Sequence, residues 1–367
     1  MPVDVKCFDK CFLNLPIKQV PGKVDSNMVH RPSDPSRRVF VNAVAGAVAG
    51  TSVAQNSFAA ELGAQQPSGN IDNVMQFHLL GSSAGKPVPR PFCTCHACQV
   101  ARRKGGKDRR TRTSVNLYLG KEGPGAVRYK VDLSPDTTAH MHRFGMNLTK
   151  LEHLLVTHPH IDHFDPFFLS VRSSVLSGVA NLPILHVYGG PGVEKALRAK
   201  AGDLTKQRIT FHRIAPFQQF QAGDLEVLSL HANHHYPSPY LNYVVSAKNV
   251  TVLLAWDTGF WREETWRKAA NLRFDAVIME CTVISKKGKP LRPGHNDIET
   301  FLKMKERMIR MNMIEQRTPV VAMHIGDNGL VSHDEAQNLM DPHHIKVGYD
   351  GLLLSVGKKG SNIISAG

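Results

Sequence analysis

His158-Pro159-His160-Ile161-Asp162-His163 is the stretch whose reading decides the fold. It follows the apolar run Leu154-Leu155-Val156, which reads as a short buried strand ending at Thr157. Three imidazoles and a carboxylate just past a strand end make a poor core and a good metal site. His158 and His160 lie two apart, so an extended backbone points both side chains the same way. Asp162 and His163 then turn with the loop and can serve a second ion.

The other donors needed for such a centre stand at the ends of later strands. Leu225–Leu230 alternates and leads to His231, His234 and His235. Val250–Ala255 is a continuous apolar run that delivers Asp257, and Val320–Met323 is another that delivers His324. With these residues in place the sequence resembles the metallo-β-lactamase superfamily, whose dinuclear site takes HxHxDH, then a His, an Asp and a final His in that order. The resemblance implies that His158, His160 and His234 hold one divalent ion, and that Asp162, His163 and His324 hold the other. Asp257 would bridge the two ions, which would be zinc or manganese. His235 is given a solvent-facing role beside His234, and His231 a place at a strand end.

A second motif narrows the resemblance. Cys93-Thr94-Cys95-His96-Ala97-Cys98 is too tight for disulfide geometry to satisfy three thiols, and reads as a zinc knuckle. Phe77-His78-Leu79-Leu80-Gly81-Ser82, the CxCxxC knuckle, a basic arm and Thr113-Ser114-Val115 are similar to the start of the phosphoribosyl cyclic phosphate phosphodiesterases of the carbon–phosphorus lyase pathway. The similarity runs from about Val74 to Gly357. It takes in Val131-Asp132, Ala255-Trp256-Asp257-Thr258 and Arg292-Pro293-Gly294-His295-Asn296, where the resemblance makes His295 the general acid. That family closes its structural zinc with a His three residues after the last catalytic His. Asp327 stands there in this chain, with His333 and His96 as rivals for the fourth ligand. Leu133-Ser134-Pro135-Asp136 and Gly81-Ser82-Ser83-Ala84-Gly85 look more like pyrroloquinoline quinone biosynthesis B-type proteins, which share the knuckle.

The fold expected is α/β, a four-layer αβ/βα sandwich with the site at one edge. Strands are expected at Val74–Leu80, Ser114–Leu119, Tyr129–Leu133, His153–Thr157, Ile184–Tyr188, Ile209–Arg213, Leu225–Leu230, Leu241–Val245, Val250–Ala255, Ala276–Met279, Val320–Met323, Ile345–Val347 and Leu352–Val356. Helices are expected at Phe164–Leu176, Val193–Ala201, Glu263–Ala270, Asp297–Met313 and His333–Leu339. Residues 74–357 would form the hydrolase domain, 60–73 a linker and 358–367 a tail.

Residues 1–59 read as a leader. Ser36-Arg37-Arg38-Val39-Phe40 resembles a twin-arginine export signal, followed by a mildly apolar segment and the small residues around Ser57-Phe58-Ala59. Met28 is an alternative start. This predicts export to the periplasm, with a cytoplasmic location as the alternative. Cys7 and Cys11 would leave with the leader, whereas Cys93, Cys95, Cys98 and Cys281 stay.

The chain of 367 residues carries a net charge of +14, which suits a small anionic substrate. The run Arg102-Arg103-Lys104, Lys107, Arg109-Arg110 and Arg112 lacks interleaved aromatics, so it reads as a solvated basic loop and not a nucleic-acid platform. No apolar stretch reaches membrane-spanning length. A homodimer is compatible with all of this.

Two divalent ions about 3.5–4 Å apart lower the pKa of a water toward 7 and neutralise a phosphodiester under attack. Asp162 and Asp257 would offset metal charge and orient the nucleophile, and His295 would protonate the leaving group. The reaction expected is hydrolysis of a small, cyclic or linear, phosphodiester. Lactam or lactone hydrolysis is the second reading, and a non-catalytic accessory that binds a small anion is the third.

Overall fold

The apolar runs become strands of two mixed sheets that face each other. The computed structural model describes residues 74–120, 122–234, 239–285, 293–326, 329, 331–357 and 360–365. The leader and linker, His235, Arg292 and Asp327 lie outside the described residues. The first half of the domain supplies β1 (Val74–Gly81), β2 (Ser114–Leu119), β3 (Tyr129–Val131), β4 (His153–Leu155), β5 (Leu185–Gly189) and β6 (Ile209–Arg213). The second half supplies β7 (Gln219–Ala222), β8 (Leu225–His231), β9 (Leu241–Ala247), β10 (Val250–Ala255), β11 (Ala276–Glu280), β12 (Val320–Met323) and β13 (Lys346–Val347). The chain then returns to the first sheet as β14 (Leu352–Gly357) and β15 (Gly360–Ser365).

The strand orders are β15-β14-β1-β2-β3-β4-β5-β6 and β13-β12-β11-β10-β9-β8-β7. Strands β3 to β6 and β10 to β13 run parallel. Parallel strands buried on both faces need near-continuous apolar runs, which is why Val250–Ala255, interrupted only by Thr251, and Val320–Met323 were readable. Between the sheets lie Phe77, Leu117, Val131, Leu155, Tyr243, Leu254, Trp256 and Met323, all buried.

Helices are α1 (His96–Lys104), α2 (Thr137–Phe144), α3 (Phe167–Ser170), α4 (Pro191–Ala201), α5 (Glu263–Ala269), α6 (Ile298–Arg310) and α7 (His333–Met340). Leu169 of α3 and Val193, Leu197 and Ala201 of α4 pack on the outer face of the first sheet with Leu154, Val156, Leu185 and Val187. Trp266 of α5, Phe301, Met304 and Met308 of α6, and Ala336 and Met340 of α7 pack on the outer face of the second. Each fully buried side chain of this size contributes about 1.5–3 kcal/mol, so these faces fix which side each helix covers. The result is the four-layer sandwich expected from the sequence.

Several expectations need correction. Phe164–Leu176 is not one helix: only Phe167–Ser170 is α-helical, followed by a short 3-10 turn at Arg172–Ser174. Asp165 spends its N–H on Leu133 O, and Pro166 restarts the chain, so the apolar spacing there is broken by a strand-like contact. Leu176, the expected end of that helix, is fully exposed. Arg102, Arg103 and Lys104 are not a loop but the last turn of α1, where cations favour the carbonyl end of the helix. Residues 360–365, placed in a tail, form β15 along β14. Helix α2 and strand β7 were not foreseen. Among the described residues no helix is long and apolar enough to cross a membrane.

Candidate metal centre

Strand β4 ends at Leu155, and the loop behind it carries His158 to His163 toward the carboxyl ends of the second sheet's strands. That edge, where parallel strands release their loops, is the usual place for ligand sites in such sheets. His234 follows β8, Asp257 follows β10 and His324 follows β12. Donor atoms of His158, His160, His234 and Asp257 all lie within 4.8 Å of one another, as do those of Asp162, His163, Asp257 and His324. Asp257 belongs to both groups. The structure therefore brings together all seven residues picked out in the sequence, and puts the carboxylate expected to bridge between the two sets.

The donors fit divalent cations for a reason visible in their other hydrogen bonds. Thr157 Oγ1 donates to Asp132, so His158 Nδ1 at 3.0 Å must be the donor to it, leaving the Nε2 lone pair facing inward. His163 Nδ1 donates to Asp132 Oδ2 at 2.7 Å, and His234 Nδ1 to Gly294 O at 2.9 Å. His324 Nδ1 is 3.0 Å from Thr282 Oγ1, whose own proton goes to Glu280. Four imidazoles are thus held as the tautomer that aims Nε2 at the centre, the arrangement metal-ligating histidines adopt.

Inside, lone pairs crowd. His158 Nε2 is 2.9 Å and His163 Nε2 3.0 Å from Asp257 Oδ2, while His324 Nε2 is 3.0 Å from Asp257 Oδ1. Yet His158 Nε2 and Asp257 Oδ1, both buried, have no aligned hydrogen-bond partner. Buried polar atoms without partners are rare and costly, and cations among them supply the missing partner.

The charge states follow from the same crowding. Burial, the largest influence, opposes ionisation of Asp257, but His324, His163 and His158 hold its carboxyl well below the usual range. Asp162 behaves likewise: burial would raise it, and His163 and His324 hold it low. His163 is raised despite burial because Asp162, Asp257 and Asp132 surround it. Burial and the neighbouring His163 lower His158 to about 4, so it stays neutral and ready to ligate.

The backbone is bent to serve this geometry. Asp132, Asp257 and His324 take φ of 60°, 48° and 54°, a left-handed region that non-glycine residues seldom occupy. Gly294 has φ of 89°, and a Cβ there would lie 2.9 Å from His234 Nδ1, so only glycine permits the carbonyl contact that orients that ring.

Sequence reasoning gave no role to Asp132, Glu280 or Thr282. Asp132, fully buried at the end of β3, accepts hydrogen bonds from Thr157, His163 and the Trp256 indole. Glu280, fully buried at the end of β11, accepts from Thr258 N, Thr282 and His295. His295 Nδ1 is 3.2 Å from Glu280 Oε2 and 3.5 Å from Asp257 Oδ1. Burial opposes protonation of His295, but Glu280, Asp257 and Asp162 together raise it to about 9. Asp297 caps α6, accepting from Thr300 N.

The knuckle also assembles. One sulfur from each of Cys93, Cys95 and Cys98 lies within 4.8 Å of the others. Cys98 is buried against Val88 and Ala101 and accepts from Arg90 N at 3.3 Å. The Cys95 backbone N–H, the Cys95 thiol and the Arg90 guanidinium bring the Cys93 thiol down to about 7, suited to thiolate ligation. Neither rival for the fourth ligand joins the group. His96 Nε2 turns to Glu335 at 3.1 Å, and His333 Nδ1 meets the Arg110 guanidinium at 3.0 Å.

This fold and this edge define a metal-binding sandwich, and comparison with known proteins places it in a family. Residues 128–325 match the family described as the beta-lactamase superfamily domain, and the chain belongs to it. A crystal structure of a diphosphatase from the PhnP family superposes with a TM-score of 0.57 at 19% identity, covering 77% of this chain and 97% of that one. Zinc-bound PqqB from Methylobacterium extorquens gives a TM-score of 0.57 at 17% identity, covering 76% and 99%. At these identities the likeness is one of fold. A curated octanoyltransferase from Porphyromonas gingivalis (strain ATCC BAA-308 / W83) is 24% identical over 302 residues, which are 79% of this chain and 53% of that protein. The chain spans about half the length of this relative. The chain thus carries a beta-lactamase superfamily domain in the metallo-β-lactamase fold, with two donor sets placed to hold divalent ions.

Proposed function

We propose that the protein is a phosphodiesterase acting on a small anionic diester, with His158, His160 and His234 holding one divalent ion and Asp162, His163 and His324 the other. Asp257 is the shared ligand, and Cys93, Cys95 and Cys98 with Asp327 hold a structural zinc. The observation that carries this reading is His295 set beside a two-part donor cluster, its Nδ1 3.2 Å from Glu280 and 3.5 Å from Asp257. Bound divalent ions supply a lowered water pKa and neutralise phosphoryl charge. The chain's own residues do the rest. Asp257 and Asp162 face the attacked side as acceptors that orient a water proton. Glu280 favours the cationic form of His295 beside it, and the His295 side chain is 18% exposed, which leaves a leaving oxygen access to its proton.

A general acid matters in proportion to how poor the leaving group is. His295→Asn is therefore expected to lower kcat by about 10²–10³-fold on a diester with an alkoxide leaving group, and far less on bis-p-nitrophenyl phosphate. Because an acid works only while protonated, the limb of kcat/KM that falls with rising pH should move to lower pH in Glu280→Gln. Turnover of nitrocefin or a lactone exceeding that of every phosphodiester tried would replace this reading with the lactam and lactone one.

We also propose export, from the twin arginines and the small-residue site. N-terminal sequencing of protein from the cell envelope should then begin near Ala60, and an intact leader there would refute it.

A further inference from the structure

We propose that Tyr240 is a positioning residue of the metal centre: its phenol oxygen accepts the Nε2 proton of His160 and so turns the Nδ1 lone pair of that ring toward the first ion. This role rests on the proposed reading of His160 as a ligand. Tyr240 stands just ahead of β9, where three ligand-bearing segments meet. Its carbonyl accepts at 2.9 Å from the N–H of Ala232, shortly before His234. Leu241 N donates at 3.0 Å to the carbonyl of Thr157, the residue before His158, and Tyr243 Oη donates to Val156 O at 2.8 Å. Asn242 Nδ2 donates at 3.0 Å to the carbonyl of Trp256, the residue before Asp257. One short stretch of chain thus sets the spacing between the strand ends that carry the first donor set.

The Tyr240 side chain sits at the head of this hub, buried against the donors themselves. Its ring centre lies 4.6 Å from that of His158 and 5.3 Å from those of His160 and His234, so it packs on all three imidazoles of the first set. His160 is wired differently from the other histidines of the centre. His158, His163, His234 and His324 each engage Nδ1 with the protein and keep Nε2 for the centre. In His160 the nitrogen that meets Tyr240 Oη, at 3.2 Å, is Nε2.

A neutral imidazole has one N–H and one lone pair, so the direction of this bond decides what the ring can do. Were the phenol to donate, Nδ1 would carry the proton and present it to a cation. With the phenol as acceptor, Nε2 carries the proton and Nδ1 keeps a lone pair to ligate. Only the second arrangement lets His160 serve in the donor group to which its position assigns it. Order matters here as well as direction. His158 is buried, whereas His160 is half-buried on its loop, so its ring has more room to turn. Fixing such a ring when an ion arrives costs conformational entropy, and a hydrogen bond already in place lowers that cost. Outer partners of this kind are worth about 10–100-fold in metal affinity.

Tyr240→Phe keeps the ring against the three imidazoles and deletes only the acceptor. Zinc is titrated into the full protein against a chromophoric chelator. In the variant one ion of the centre should bind about 10–100-fold more weakly, while the other ion and the knuckle zinc keep their wild-type affinities. A second readout needs no variant: NMR of zinc-loaded wild-type protein carrying isotope-labelled histidine. There the His160 ring should hold its proton on Nε2, and the His158 ring on Nδ1. Wild-type zinc affinities in Tyr240→Phe, equal weakening of both ions, or a His160 proton on Nδ1 would each overturn the role of Tyr240 and leave the metal centre standing. A wild-type protein that takes no zinc beyond the knuckle would overturn the metal centre itself, and the role of Tyr240 with it.

Discussion

Asp257→Ala is expected to strip both catalytic ions and to lower kcat/KM by at least about 10³-fold, the largest effect of any single substitution in the centre. The reason is its double membership. Its Oδ2 sits at 2.9 Å and 3.0 Å from His158 and His163, and its Oδ1 at 3.0 Å from His324, so one side chain serves both donor groups. Removing His160 or His234 instead leaves the second group intact, and such variants should keep about one ion in the centre, besides the zinc of the knuckle. Folding should survive the loss of Asp257, because the imidazoles around it retain Asp132, Thr157, Thr282 and Gly294 as partners. Metal analysis after desalting, with circular dichroism on the same sample, separates the two effects. Wild-type metal content in Asp257→Ala would sink the assignment of a shared ligand.

The ligands were legible because each is a polar residue dropped at the end of an apolar run, where chance would place a turn former. Their supports were not. Asp132 follows Tyr129-Lys130-Val131 and looks like any strand-end aspartate. Glu280 closes Ala276–Glu280 as if it were a solvated cap, yet it is fully buried. Nothing local marks a carboxylate whose partners, Thr282 apart, are 15 and more residues away, since such pairs exist only after the sheets close. Helix α2 was missed for a related reason: Thr137, Thr138, His140 and His142 are weak helix formers, and tertiary packing decides the segment. Phe164–Leu176 failed in the other direction. Its apolar spacing suits a helix, but Leu133 takes the backbone of residues 163 and 165 into a bridge. Strand β7 is only four residues long, with glutamines at two of them, and its edge position relaxes the apolar demand that made the central strands readable.

Cys95→Ser should remove about one zinc per chain, lower the Tm by roughly 5–10 °C and leave the catalytic pair partly occupied. The argument runs from the knuckle to the centre along hydrogen bonds. Cys95 caps α1, and the Arg102 side chain at the far end of that helix donates to Cys93 O and, at 2.7 Å, to Arg90 O, clamping the loop that carries the sulfurs. Val88, just before that loop, exchanges two 2.8 Å backbone bonds with Arg110. The Arg110 guanidinium, fully committed inside the protein, reaches Ser82 Oγ, Gly348 O and His333. Ser82 O then accepts from the N–H of Ile325, the residue after His324, and Ala84 N returns a bond to Ile325 O. Losing one thiolate frees the arm at its far end, and the slack arrives at the backbone that holds a catalytic ligand in a left-handed conformation. A several-fold fall in kcat/KM with catalytic metal partly retained is the signature of that route. A general weakening of the fold would instead release the catalytic ions in proportion to the unfolded fraction. Unchanged zinc content in Cys95→Ser would show that the three sulfurs, close as they are, hold no ion.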